Sequence, residues 1–342
     1  MTVHEQYMRR CIELAQLGAG EVSTNPMVGA VVVCDGKIIG EGYHKKFGGP
    51  HAEVNAINSV KNPELLSKSE IYVSLEPCAH FGKTPPCADL IISKHIPKVY
   101  VGTLDPFSKV DGKGIQKLKA AGIEVVTGIL EKECQELNKR FFTSVNLKRP
   151  YVILKWAQSA DGFIDKDFKS TKISNSLTNI LNHKWRSEED AILVGRKTAS
   201  VDNPSLTNRL WTGKNPVRVV LDKSLKLSKN LNLFDDSVTT IVFTEHDVTE
   251  SCSKTVYHKI DFSNNLAQNI LTALNDMKIQ SLIVEGGALT HQLFLESNLW
   301  DEIRIFQSDD ILENGTKAVL PKGKLVTKEN VENNKLLIYR NL

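Results

Sequence analysis

Two short stretches, GPHAEVNA at 49–56 and EPCAHFGKTPPC at 76–87, decide the fold of the first part of this chain. Together they supply one imidazole (His51), two thiols (Cys78 and Cys87) and one carboxylate (Glu53). Three nitrogen and sulfur ligands with a fourth position left open are typical of catalytic zinc. Glu53 lies only two residues after His51, which is too close in sequence for both side chains to bind the same ion readily. We therefore expect Glu53 to contact the metal-bound water as general acid and base. The pattern predicts one catalytic zinc ion per chain.

Two simpler interpretations of these residues stay open. His80 would complete a closed structural zinc site, or two buried cysteines and a surface histidine would lie near one another without a metal. The remaining cysteines lie on apolar faces or in a polar stretch, and we expect them to be inert: Cys11, Cys34, Cys134 and Cys252.

Length and composition indicate a soluble protein of two domains. The chain has 342 residues, of which 41% are hydrophobic and 24% charged. A net charge of +3, with scattered Lys and Arg, argues against a nucleic-acid or membrane surface. No run of about 18 apolar residues is present, the N-terminus lacks a signal pattern, and six cysteines are too sparse for a disulfide framework. We therefore expect a cytoplasmic protein with no nucleic-acid or membrane partner.

Strands and helices alternate through both halves, as in layered α/β domains. In the first half we predict helices over 3–17, 51–60, 88–94, 114–121 and 131–145 and strands over 27–34, 37–42, 71–75, 98–102 and 123–126. In the second half we predict helices over 178–189, 266–277 and 289–296 and strands over 151–156, 191–194, 217–221, 239–243, 281–284, 302–306 and 336–339. The KRP sequence at 148–150 marks the join, so the predicted domains are 1–146 and 147–342.

The metal motif is similar to that of the zinc deaminases, which combine H-x-E with a later P-C-x-x-C. Here HAE stands at 51–53 and PC at 77–78, but eight residues separate the two cysteines instead of two. A deaminase of nucleic acid also needs a basic groove with stacking aromatics, and neither is evident. The pattern therefore favours a small-molecule substrate.

The long insert between the cysteines resembles the deaminase domain of the bifunctional riboflavin-biosynthesis deaminase–reductases. NPMVG at 25–29, GYH at 42–44 and GKGI at 112–115 match the same family, although Phe107-Ser108 replaces its frequent Asn-Pro. The resemblance implies a cytidine-deaminase-like three-layer α/β/α domain in which zinc hydroxide deaminates a diaminohydroxyphosphoribosylaminopyrimidine. It places Asn25 and His44 in the pyrimidine pocket and Lys83 at the substrate phosphate.

The second half has weaker motifs of its own. VEGGA at 284–288 indicates a strand that runs into a glycine pair and then a helix. Such a turn exposes N–H groups that can bind a phosphate, but it is also an ordinary tight turn. No G-x-G-x-x-G is present, so the dinucleotide-binding fingerprint is absent.

Four segments of this half resemble the reductase domain of the same family: KWAQSADG at 155–162, VGRKT at 194–198, DNPSLT at 202–207 and VEGG at 284–287. The resemblance implies a dihydrofolate-reductase-like α/β fold that uses NADPH to reduce the ribosyl group of the aminouracil product to ribityl. The residues that it places along NADPH are Gln158, Lys172, Thr198, Asp202, Lys223, Gly287, Ala288, Leu289, Thr290, His291, Gln292 and Leu293. Those that it places along the substrate are Ser170, Arg186, Leu206, Arg209 and Glu285, with the two arginines suited to its phosphate.

The sequence leaves the proton source, the oligomeric state and two rival functions open. Asp161, Asp202 and Glu285 are equal candidates for the proton source of the reduction, and Asp161 with Gly162 is also a plain turn signal. We expect a homo-oligomer, either a dimer or a tetramer. Two rival functions are a deaminase of another small substrate with a regulatory second half, and a non-catalytic nucleotide-binding module stabilised by zinc.

Overall fold

The computed structural model describes residues 1–79, 85–107, 110, 112–248 and 253–341. Lys83, His80, Ser108 and Cys252 lie outside the described residues. The chain divides into two compact units, Met1–Leu147 and Lys148–Leu342. Each unit has its own sheet.

The first unit is built on a five-stranded mixed sheet in the order β2-β1-β3-β4-β5. Its strands are β1 Gly29–Cys34, β2 Lys37–Tyr43, β3 Glu70–Leu75, β4 Lys98–Thr103 and β5 Glu124–Thr127. β1 is antiparallel to both β2 and β3, whereas β3, β4 and β5 are parallel. The helices are α1 Val3–Gln16, α2 Ala52–Asn58, α3 Cys87–Ser93, α4 Lys113–Ala120, α5 Glu131–Leu137 and α6 Lys139–Leu147, with a 3₁₀ helix at Pro63–Lys68.

Alternate residues of these strands enter two different cores. Val32 and Val73 pack with α2, α3 and α4 on one face, whereas Val31 and Tyr72 pack with α1 and α5 on the other. Because successive side chains of a strand point to opposite faces, a sheet covered on both faces has apolar residues at every position. The predicted three-layer α/β/α arrangement is confirmed.

The second unit has a nine-stranded sheet in the order β10-β9-β8-β7-β11-β6-β12-β14-β13. The strands are β6 Tyr151–Gln158, β7 Ala191–Gly195, β8 Val217–Leu221, β9 Thr240–Thr244, β10 Thr255–Lys259, β11 Ser281–Gly286, β12 Glu302–Ser308, β13 Lys324–Val331 and β14 Asn334–Arg340. The seven strands from β10 to β12 are parallel, and β14 is antiparallel to β12 and to β13. Helices α7 Ser176–Glu188, α8 Arg196–Asp202, α9 Leu266–Asp276 and α10 Ala288–Glu296 and a 3₁₀ helix at Asn232–Phe234 complete the unit.

The structure differs from the predicted elements in one divided helix and in several elements that were not predicted. The long helix predicted over 131–145 is two helices separated at Asn138, whose side chain accepts from the N–H of Met27 and donates to its carbonyl oxygen, both at 2.8 Å. Helix α8 and strands β10 and β13 were not predicted, because α8 and β10 are only seven and five residues long and the residues of β13 are largely exposed. Among the described residues, no helix is long and apolar enough to cross a bilayer.

Candidate active sites of the two units

Three potential metal ligands of the first unit converge at the starts of two helices. His51 caps the N-terminus of α2, Cys87 is the first residue of α3, and Cys78 lies three residues beyond the end of β3. The Nδ1 atom of His51 is 3.6 Å from Sγ of Cys78 and 3.4 Å from Sγ of Cys87. The three ligand atoms lie within 4.8 Å of one another, a spacing that one ion can bridge.

The chemistry of this donor set fits zinc. Two sulfurs and one imidazole nitrogen are ligands that zinc prefers, and three of them leave one position of a tetrahedron open. The backbone N–H of Cys87 also points at Sγ of Cys78, at 3.3 Å. Hydrogen bonds from Cys87 and from His51 lower the pKa of the Cys78 thiol to about 4, which favours the thiolate that a metal requires.

Glu53 lies in the first turn of α2, beside the ligands, and only 3% of it is exposed. Burial raises the pKa of this carboxyl to about 7, and the negative charge of Cys78 adds to the effect. A carboxyl group with a pKa near neutrality can both accept and donate a proton at the pH of the cell.

Asn25 and His44 form a polar wall next to His51. The two histidine rings meet edge to face, with centroids 5.4 Å apart. Nδ1 of His44 lies 3.0 Å from the Pro50 carbonyl oxygen and must donate to it, so Nε2 is the acceptor for the Asn25 amide at 3.1 Å. Burial lowers the pKa of His44, which keeps this ring neutral. The structure thus brings both predicted pyrimidine contacts to the metal ligands, while Lys83 lies outside the described residues.

The second unit has a cavity of about 780 Å³ at the carboxyl ends of its parallel strands β6, β7, β8 and β11. Crevices at this edge of a parallel sheet are the usual ligand sites of such folds. The predicted NADPH residues that line the cavity are Lys172, Thr198, Asp202, Lys223, Gly287, Ala288, Leu289, Thr290, His291 and Leu293. Of the predicted substrate residues, Ser170 and Glu285 line it.

Two predicted cofactor residues have other contacts. Gln158 accepts a hydrogen bond from the indole of Trp156 at 2.7 Å, and exposed Gln292 donates to Glu296 on its own helix at 2.6 Å. Neither side chain lines the cavity. The buried ring of His291, by contrast, lines the cavity and lies 2.9 Å from the Val284 carbonyl oxygen.

A cluster of buried charges lies at the floor of the cavity. Glu285 receives two hydrogen bonds from Arg186, at 3.1 and 2.7 Å, and both side chains are about nine-tenths buried. Burial alone would raise the pKa of Glu285, but the positive charges of Arg186 and Lys155 lower it to about 2. Lys155 itself is 8% exposed, and burial lowers its pKa. The ion pair therefore favours the ionised form of Glu285.

The segment that carries Leu206 and Arg209 is held against α7 beside this cluster. Arg186 donates to the Thr207 carbonyl oxygen at 3.2 Å, and the Arg209 backbone N–H donates to Nδ1 of His183 at 2.9 Å. The exposed side chain of Arg209 donates to the hydroxyl of Thr207 at 2.8 Å. Arg186 is thus committed to Glu285, whereas the guanidinium of Arg209 is accessible to a ligand.

Asp161 has a structural role that its sequence context also suggested. Its carboxylate accepts from the Ser159 hydroxyl at 2.6 Å and from the N–H groups of Leu312 and Glu313. The Ser159 hydrogen bond and these N–H groups lower the pKa of Asp161 to about 2. The turn interpretation of Asp161 and Gly162 therefore describes this residue better than the proton-source interpretation.

Lys155 and His183 were missed as site residues. Their signal in the sequence is a charged or polar residue inside an otherwise apolar strand or helix face, because such residues are rarely buried without a partner. Lys155 follows Ile153 on the same face of β6, and both are buried.

Two family models match the chain. The cytidine and deoxycytidylate deaminase zinc-binding region matches residues 1–103, and the RibD C-terminal domain matches residues 150–336. The riboflavin biosynthesis protein RibD of Aquifex aeolicus is 39% identical over 342 residues, 97% of this chain and 96% of the relative. That of Bacillus amyloliquefaciens is 40% identical over 325 residues, 92% and 87% of the two chains.

Solved structures agree with these relatives. The Thermotoga maritima diaminohydroxyphosphoribosylaminopyrimidine deaminase/5-amino-6-(5-phosphoribosylamino)uracil reductase is 40% identical, with a TM-score of 0.91 over 99% of both chains. Acinetobacter baumannii RibD is 30% identical, with a TM-score of 0.90 over 99% of this chain and 98% of that one.

Proposed function

Since the chain belongs to the RibD family of riboflavin-biosynthesis proteins, we propose that residues 1–146 form its deaminase domain and 147–342 its reductase domain. The protein is a bifunctional enzyme of riboflavin biosynthesis, with a zinc-dependent deaminase and an NADPH-dependent reductase. It acts on a small molecule: the pyrimidine is first deaminated, and the ribosyl group of the aminouracil product is then reduced to ribityl.

The deaminase half of the proposal rests on one observation, the convergence of His51, Cys78 and Cys87 beside the buried carboxyl of Glu53. We assign the three residues as the zinc ligands. Zinc bound there would supply Lewis-acid activation of water for attack on the amine-bearing ring carbon. Glu53 accepts the proton of that water and delivers it to the leaving amino group, so a C–O bond forms, the C–N bond breaks and ammonia departs.

Asn25 and His44 bind the pyrimidine ring in this proposal. Because Nδ1 of His44 donates to the Pro50 carbonyl oxygen and Nε2 accepts from the Asn25 amide, the ring and the amide are held in a fixed orientation next to His51. Fixed polar groups of this kind set the orientation of a ring in its pocket. Lys83 stays the proposed contact of the substrate phosphate.

NADPH occupies the cavity of the second unit in this proposal. The glycine pair before α10 would present backbone N–H groups to the cofactor, and Gly286, with φ of +114°, adopts a conformation that favours glycine. The hydride belongs to the cofactor, and the protein supplies position and charge. We assign the substrate phosphate to Arg209 and not to Arg186, which pairs with Glu285, and the proton of the reduction to Lys155, which lines the cavity together with Glu285.

We further propose a cytoplasmic homo-oligomer, a dimer or a tetramer. None of the cysteines that the structure describes (Cys11, Cys34, Cys78, Cys87 and Cys134) is in a disulfide, in keeping with a reducing compartment. Sedimentation of the purified chain tests the oligomeric state, and a monomer at assay concentration contradicts it.

The whole proposal is tested by one assay on the full-length protein with the diaminopyrimidine ribosyl phosphate and NADPH. We expect ammonia release first and NADPH oxidation second, the latter dependent on the former. Ammonia release without NADPH oxidation favours a deaminase with a regulatory second half. One bound zinc without either activity favours a zinc-stabilised binding module.

A further inference from the structure

Glu76, two residues before the ligand Cys78, is a buried carboxylate surrounded by backbone N–H groups. It is 4% exposed. Oε1 accepts from the N–H groups of Gly114 and Ile115 at 2.9 and 3.3 Å. Oε2 accepts from those of Gly112 and Asp105 at 3.0 and 3.4 Å. One side chain thus satisfies four donors at the start of α4 and in the segment after β4.

The same stretch of α4 also touches the backbone beside Cys78. A Cβ atom added to Gly114 would lie 1.9 Å from the Pro77 carbonyl oxygen, far inside van der Waals contact. Since the Pro77 carbonyl belongs to the peptide that leads into Cys78, α4 packs directly on the backbone of a metal ligand.

Cys78 is held on its other side by α3. Its carbonyl oxygen accepts from the Ala88 N–H at 3.2 Å, and its sulfur accepts from the Cys87 N–H at 3.3 Å. Before it, the Glu76 N–H donates to the Thr103 carbonyl oxygen at 3.0 Å. Glu76 thus joins the segment that carries Cys78 to the start of α4 and to the segment after β4, because its four accepted bonds reach both.

We propose that Glu76 is a positioning residue for the metal ligand Cys78, an inference that rests on the proposed zinc site. The carboxylate fixes Pro77 and Cys78 against α4, and the close approach of Gly114 completes the contact. Residues that orient a metal ligand without binding the ion change metal affinity when they are replaced.

Zinc release from the purified holoenzyme to a chromophoric chelator tests the inference. Glu76→Gln keeps one acceptor oxygen, but its NH₂ group takes the place of the other oxygen. That NH₂ group then faces two backbone N–H donors and cannot accept a hydrogen bond from either. We expect zinc to bind about tenfold more weakly than in the wild type. Gly114→Ala keeps the carboxylate and displaces Pro77 instead, and we expect it to weaken zinc in the same way.

Leu118→Ala is the matched control. Leu118 is fully buried in α4, so its truncation destabilises the first unit through the core without removing a Glu76 hydrogen bond. We expect this variant to bind zinc within about twofold of the wild-type affinity, whereas Glu76→Gln and Gly114→Ala lose about tenfold or more.

The outcomes separate this inference from the zinc site itself. If Leu118→Ala weakens zinc as much as the other two variants at a similar loss of thermal stability, Glu76 acts through general stability and the inference is overturned. The same holds if Glu76→Gln and Gly114→Ala retain wild-type affinity. If the wild-type protein holds no zinc that His51→Ala removes, the proposed metal site fails instead.

Discussion

Two buried glutamates, Glu53 in the first unit and Glu285 in the second, have opposite electrostatic surroundings. Burial raises the pKa of Glu53 to about 7. Burial would also raise that of Glu285, but the charges of Arg186 and Lys155 lower it to about 2. Burial raises the pKa of both carboxyls, and at Glu285 the charges of Arg186 and Lys155 reverse that shift, so we expect Glu53 to exchange a proton and Glu285 to stay ionised.

The largest effect that this contrast predicts is on deamination. Glu53→Ala removes the group that carries the proton, and loss of a general acid–base residue costs about 10² to 10⁴ in rate. We expect ammonia release to fall by that factor while zinc stays bound and NADPH oxidation on supplied deaminated substrate is unchanged.

The matched variant is Glu285→Gln in the other unit, which should impair NADPH oxidation and leave ammonia release intact. Zinc content and the two rates are measured on each protein. A parallel loss of both activities in either variant would show that the two glutamates do not serve separate sites.

The second prediction concerns the ion pair that keeps Glu285 charged. Arg186→Leu leaves a buried carboxylate without its partner, which costs about 3–5 kcal/mol of unfolding free energy. Adding Glu285→Leu removes the orphaned charge and should recover much of that loss. All four tryptophans lie in the second unit, so their fluorescence in a urea titration reports its unfolding.

An exposed pair in the first unit is the control. Arg10 and Glu41 lie 2.7 Å apart, but their side chains are 41% and 35% exposed. Glu41→Gln is expected to cost no more than about 1 kcal/mol, measured by circular dichroism. Equal costs for Arg186→Leu and Glu41→Gln would mean that burial does not distinguish the two pairs.

The third prediction is a loss of stability of the second unit in mild acid. Burial and, for His183, the nearby arginines lower the pKa values of His183 and His291 to about 4, against an ordinary value of 6.5. Between pH 6.5 and about pH 4, the two histidines bind protons in the unfolded chain but stay neutral in the folded chain. The stability that is present above pH 6.5 is therefore lost progressively toward pH 4. Each histidine contributes up to about 1.4 kcal/mol per pH unit.

Tryptophan-detected urea titrations at pH 7.5, 6.5 and 5.5 measure this slope. His291→Gln retains a donor for the Val284 carbonyl but does not titrate, so it should make the slope shallower. A slope that His291→Gln leaves unchanged contradicts the assignment of the effect to this ring.

The sequence predicts the first site better than the second for a chemical reason. A zinc deaminase requires certain ligands at short spacing, so His51, Glu53, Cys78 and Cys87 are recognisable together. In the second unit the cofactor supplies the hydride, so the protein only has to position it, and many residue types can do that. Lys155 is therefore recognised only in the structure, from its burial.

Tertiary contacts account for the rest of what the sequence did not predict. Asn138 divides a predicted helix because it bonds to Met27, more than a hundred residues earlier. Strand β13 has exposed positions along most of its length, so it lacks the apolar alternation that marks a strand. Glu76 and His183 have roles that depend on N–H groups in distant segments, namely Gly114 and Arg209.

The smallest predicted effect concerns Arg209 at the proposed phosphate site. Arg209 has an exposed guanidinium with one neutral partner, Thr207, so Arg209→Ala should leave the fold intact and remove one charge-assisted contact of the substrate. We expect KM for the deaminated substrate to rise about tenfold, or about 1.4 kcal/mol, with little change in kcat. Lys214→Met removes a charge from the same loop without touching residues 206–209, and its KM should stay at the wild-type value. If kcat falls in Arg209→Ala while KM is unchanged, Arg209 acts on the reduction itself and its assignment to the phosphate is wrong.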